Sequence, residues 1–200
     1  MTINNNEFIT LQLESLAIRY FIIKYDAFEK TVKEIFSNNI SSISPENKNL
    51  LYFYLAGLKR SSYIDYEKIS LKTDDLKFSK TEAFSGFSLS NIIKIQEKNH
   101  LLDIFNFNIP SLTNKSTEYP FTECCKKLLN MRNKLAHEMS RLTFKNNDII
   151  EVLTSTYIKE LGTDWFSTLD TDLMNDETKY IFSNLIMLER IFEQLKNKVT

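Results

Sequence analysis

Arg132 and His137 are the two side chains of this 200-residue chain whose chemistry stands out. An imidazole takes and gives protons near neutral pH. A guanidinium stays charged and offers phosphate oxygens a fixed fork of donors. Together they suit proton transfer beside a phosphate. Asn133, Lys134 and Arg141 stand close in sequence and are candidates for holding a substrate. All five lie in FTECCKKLLNMRNKLAHEMSRLTF, residues 121–144, which follows Pro120 and holds no Gly or Pro. The spacing of Leu128, Leu135, Met139 and Leu142 predicts a helix over the whole stretch, with Cys124 and Met131 beside that apolar line. Asn133, His137 and Arg141, four apart, then line the opposite face. Arg132 falls at the edge of the apolar side, near Cys125, Ala136 and Met139. A guanidinium there must snorkel, pair or face a phosphate, because it cannot be left dry and unpaired.

The motifs of other chemistries are missing. With three glycines in all, a phosphate-cradling loop is nearly excluded, and there is no GxSxG, HExxH or DxDxDG. Two histidines and no clustered acids argue against a metal site, and no cofactor is expected. His100, at the end of a predicted helix, has an ordinary structural explanation, since a cation meets the negative dipole end there. Cys124 and Cys125 are adjacent, and neighbouring side chains point apart, so a disulfide between them is not expected. They read as two buried or half-buried thiols in a reducing cytoplasm.

The net charge of −1 gives no global pull toward nucleic acid or membrane. The distribution is uneven. Between Cys124 and Asn146 six basic residues face Glu138 alone, whereas between Asn147 and Thr178 Lys159 faces eight acids. The positive field therefore surrounds the central helix. The bland alternative is a solvated helix face balanced by an acidic neighbour. The N-terminus, MTINNNEF, lacks the pattern of a signal peptide, and no apolar run approaches the length of a membrane span. A cytoplasmic protein with no membrane partner is expected.

The elements that would position these residues are helices. Scarce Gly and Pro, with 15 Phe and 9 Tyr, favour long helices over a sandwich or barrel. Residues 1–6 read as a frayed start. The spacing of Leu13, Leu16, Ala17, Tyr20, Phe21, Lys24, Phe28, Val32 and Ile35 predicts a helix over 7–36. Ser44 and Pro45 look like the cap and first position of a second helix, reaching about Arg60. Residues 61–88 read as an irregular excursion, 89–99 as a helix, and 108–120 as a loop bounded by two prolines. Asn146, Asn147 and Asp148 can cap a helix over 149–161 that Gly162 ends. Trp165 falls in a turn or small helix over 163–173, and Asp176 opens a last helix to about Asn197. The prediction is a single all-α domain, an antiparallel bundle of five to six helices.

The run Arg132-Asn133-Lys134-Leu135-Ala136-His137 resembles the signature of the HEPN superfamily, whose motif is an Arg with a polar follower, then four to six residues to a His. Here the follower is Asn133 and the gap is four. HEPN toxins paired with nucleotidyltransferase antitoxins carry Tyr two residues after the His, where this chain has Met139. The resemblance implies a HEPN-like bundle and a metal-independent endoribonuclease of toxin or antiviral-defence type, acting on RNA. In such enzymes the ribose 2′-hydroxyl attacks the adjacent phosphate and leaves a cyclic phosphate. It implies Arg132 and His137 as catalytic, and it leaves room for an antitoxin or regulatory partner. Five residues on a helix turn about 140°, so one helix does not present the pair side by side. A homodimer with a composite site is therefore expected. Two other readings stand beside this one: a HEPN-like bundle that binds a nucleotide or protein partner without cutting, and a plain helical interaction domain.

Overall fold

Helix-forming sequence dominates the described part of the chain, which in this computed structural model comprises residues 5–39, 88–100, 102–137, 143–145, 148–162, 169 and 171–199. Five α-helices, one small hairpin and two short 3-10 turns, Asp103–Phe105 and Thr171–Leu173, make up its regular structure: α1 Asn5–Asn39, α2 Leu89–Asn99, β1 Asn108–Pro110, β2 Glu118–Pro120, α3 Phe121–His137, α4 Ser155–Leu161 and α5 Asp176–Val199. The fold is all-α and bundle-like, as predicted. The second helix expected after Ser44 and the excursion at 61–88 lie outside the described residues, save Ser88, which caps α2. Contacts group the chain into two compact units, one of residues 1–30 and 107–200, the other of residues 31–106.

The first unit holds the candidate site. Ala17, Phe21, Tyr25 and Phe28 of α1 are fully buried, as the helical spacing requires. Leu16 is an exception, 43% exposed. It sits one residue round from Ala17, about 100° off the buried line. Phe28 packs edge-on to Phe121 and to Phe192, each with ring centres just over 6 Å away. Charged groups follow the same alignment. Lys24 pairs with Glu189 at 3.3 Å, and Glu14 accepts from Asn175 at 3.4 Å. Residue numbers thus rise together along α1 and α5, which run parallel. Against α3 they run opposite: Phe28 meets Phe121, and Tyr25, about one turn earlier, feels Cys125, one turn later.

Two sequence expectations are corrected here. Residues 108–120 are not a plain loop: Ile109 pairs with Tyr119 in a two-stranded antiparallel hairpin. Its prolines stand at strand ends, where a missing N–H costs no ladder bond. Nor is 149–154 helical, and α4 begins only at Ser155. Side chains take the backbone donors that a helix would have used. Asn184 accepts from the Ile150 N–H and Ser183 from the Leu153 N–H, both at 3.0 Å. Glu151 turns the other way and accepts from Ser111, from the Leu112 and Thr113 N–H groups, and from the Thr113 hydroxyl. Gly162 ends α4 as predicted, donating to the Ile158 carbonyl.

The second unit is small among the described residues. Val32, Ile35 and Phe36 of α1 and Leu89, Ile92, Ile93 and Ile95 of α2 are buried in it. His100 closes α2 in a left-handed conformation, φ 45°, with its N–H on the Gln96 carbonyl. Its ring lies 3.4 Å from Asn106. His100 thus stands at the helix end, where the sequence placed it.

Candidate functional site

The middle of α3 is anchored by its apolar line. Cys124, Cys125, Leu128, Met131 and Leu135 are fully buried, which fixes the rotation of the helix and aims its other residues outward. Arg132 comes out half-buried at the edge of this line, and Asn133 and His137 come out exposed. His137 is the last residue of α3. No hydrogen bond or ion pair engages the side chain of Arg132, Asn133 or His137 among the described residues. Those side-chain donors and acceptors are open to a ligand.

The helix is shorter than its sequence predicts. Thr143–Lys145 are not helical, and Met139, Arg141 and Leu142 lie outside the described residues. Lys134 reaches to the residues that follow. Its ammonium donates to the Thr143 carbonyl at 3.1 Å and to Asp148 at 2.5 Å. Asp148 also accepts from the Lys145 N–H at 3.0 Å. Burial alone would raise the Asp148 carboxyl, but the Lys134 bond and the Lys145 N–H outweigh it and hold it below the usual carboxylate range. Phe144 then packs edge-on to Tyr180, under the Lys134 ammonium. Of the residues proposed to hold a substrate, Lys134 is thus occupied within the chain and Asn133 is open.

One neighbour of the site is absent from the sequence reading. Tyr25 is fully buried on α1, and its hydroxyl has no hydrogen-bond partner among the described residues. Burial, with Glu29 beside it, pushes the phenol up, and the Arg132 charge pulls the other way. Tyr25 thus lies within electrostatic reach of the guanidinium. Nothing in the spacing marked it, because it falls on the same helical line as ordinary core residues.

Arg132 and His137 are not brought side by side within one chain. They lie five residues apart on a regular helix, about 140° round and 7.5 Å along its axis. Among the described residues no three His, Cys, Asp or Glu side chains gather as metal ligands. No helix there is long and apolar enough to cross a membrane. The thiols beside the site are sheltered. Burial pushes Cys124 up to about 12 and raises Cys125 well above its ordinary value, so both stay protonated. Comparison with known proteins adds no relative: no family model, curated protein or solved structure matches this chain.

Proposed function

We propose that this chain is a metal-independent endoribonuclease of HEPN type, acting in a toxin or antiviral-defence role. The observation that carries the reading is the pairing of an open guanidinium with an open imidazole, Arg132 and His137, on the last two turns of one helix. RNA supplies its own nucleophile. The 2′-hydroxyl attacks the neighbouring phosphorus, the bond to the 5′-oxygen breaks, and the products carry a cyclic phosphate and a 5′-hydroxyl. His137 moves the protons that this exchange requires. Arg132 holds the phosphate oxygens as negative charge builds on them. Asn133 orients the ring or the phosphate. The angular gap between Arg132 and His137 calls for two copies of α3 facing each other across a two-fold axis, so that both pairs share one cleft.

The test is purified protein incubated with total RNA and a chelator. Fragments ending in cyclic phosphate are expected, and His137→Ala should abolish them. Expression should arrest growth, and the same substitution should relieve it. RNA left intact by well-folded protein would instead favour the second reading, a HEPN-like bundle that binds a nucleotide or a protein partner. The separation of Arg132 and His137 on one helix is the observation on that side.

A further inference from the structure

An apolar line on α1 faces outward over its first five turns. Phe8, Leu11, Ser15, Ile18 and Ile22 follow the 3–4 spacing of a heptad seam. Phe8 is 51% and Leu11 57% exposed, and Ile18 and Ile22 are half-exposed. A groove of about 490 Å³ opens on this face, and its lining among the described residues is Leu11, Glu14, Ser15, Ile18, Arg19, Ile22 and Ile23. The same line continues to Tyr25 and Val32, and both are fully buried. Glu29 interrupts the stripe between them. Its first two heptads are the part that the described residues leave partly exposed.

The flanking charges indicate what fits there. With Leu11 and Ile18 at the d positions and Ser15 and Ile22 at the a positions, Glu14 falls at g and Arg19 at the following e. In two parallel helices, g of one chain meets the next e of the other. A second copy of this chain, laid parallel, therefore sets Glu14 against Arg19 twice by symmetry. An antiparallel copy would not, since it brings g to g and e to e. Glu14 touches Asn175 through Oε2, which leaves Oε1 available, and Arg19 is exposed. Small Ser15 at the central position lets the two backbones approach. The helix is already held by its own unit, so pairing carries no cost of helix formation.

We infer that the outward seam of α1, from Phe8 to Ile22, is a parallel two-fold contact with a second copy of this chain. The contact is separate from the α3 pairing proposed above and goes beyond it. If both form, removing this one takes the assembly from four chains to two. If this one forms alone, removal takes it from two chains to one.

The experiment measures the mass of the full chain by light scattering on a sizing column, beside RNA cleavage. Wild type should run at a multiple of its 23.5 kDa. Ile18→Lys should halve that mass. Leu11→Lys should do the same, and it stands in if the first variant melts early by circular dichroism. Glu14→Arg and Arg19→Glu should each loosen the assembly, and the two combined should restore it. In a parallel pair each seam residue faces its own copy, so Ser15→Cys alone should form a disulfide-linked dimer under mild oxidation. Wild type should not, because Cys124 and Cys125 are fully buried. A wild-type mass of one chain overturns the inference, as does a mass that neither lysine variant changes, or a Ser15→Cys protein that fails to cross-link. An oligomer disrupted by these variants that cuts no RNA leaves the inference standing and removes the nuclease reading. A protein that cuts RNA and whose mass these variants leave unchanged does the reverse.

Discussion

Lys134 and His137 sit one turn apart on α3, and their surroundings give them opposite roles. Lys134 ties the end of the helix to the chain that follows, through Thr143 and Asp148. His137 is exposed and uncommitted among the described residues. Asp148→Ala should therefore destabilise the protein by about 2 kcal/mol at neutral pH, read from the urea midpoint, because it strands a half-buried ammonium and a backbone donor. The sign with pH follows from the depressed Asp148 carboxyl. Its contribution is complete above the ordinary carboxylate range and disappears as pH falls through the lower folded value. The gap between wild type and Asp148→Ala should narrow on acidification. Spacing alone gave Arg132 and His137 their places at the edge and outside of the helix. It gave no hint that Lys134 would be occupied, because its partners lie 9 and 14 residues away and meet it only once the chain has turned.

At the scale of elements, α1, α2, α3 and α5 were legible wherever one buried line could be traced, and their described starts follow it closely. The misreadings fall where tertiary bonds override local preference. Residues 149–154 carry a helical pattern of apolar side chains, yet Asn184 and Ser183 on α5 claim the Ile150 and Leu153 donors. Glu151 is drawn to the 111–113 turn instead. Asn184 is fully buried and also donates to the Tyr180 carbonyl. Asn184→Ala should leave the Ile150 N–H without an acceptor and cost about 2 kcal/mol. Hydrogen exchange should speed first over 149–154, with α5 itself less affected. The hairpin escaped notice for a similar reason. Three-residue strands ending in prolines leave no alternation to detect, and Phe121 stacks on Phe107 beside the pairing of Ile109 with Tyr119.

For the assembled molecule, the angular separation of Arg132 and His137 makes a strong demand. If both pairs share one cleft, a heterodimer of His137→Ala and Arg132→Ala chains lacks one imidazole and one guanidinium. Mixing the two proteins should not return the wild-type rate per dimer, whereas two separate sites, each pairing Arg132 of one chain with His137 of the other, would recover part of it. The vicinal thiols of α3 supply a different kind of readout. Both are sealed and protonated, so an alkylating reagent added to the native protein has nothing to attack until the interior opens. Modification should arrive in pairs, at a pace set by how often the molecule breathes rather than by reagent chemistry. Intact mass spectrometry would then follow opening without any engineered probe, and a fast reaction at only one sulfur would refute that picture.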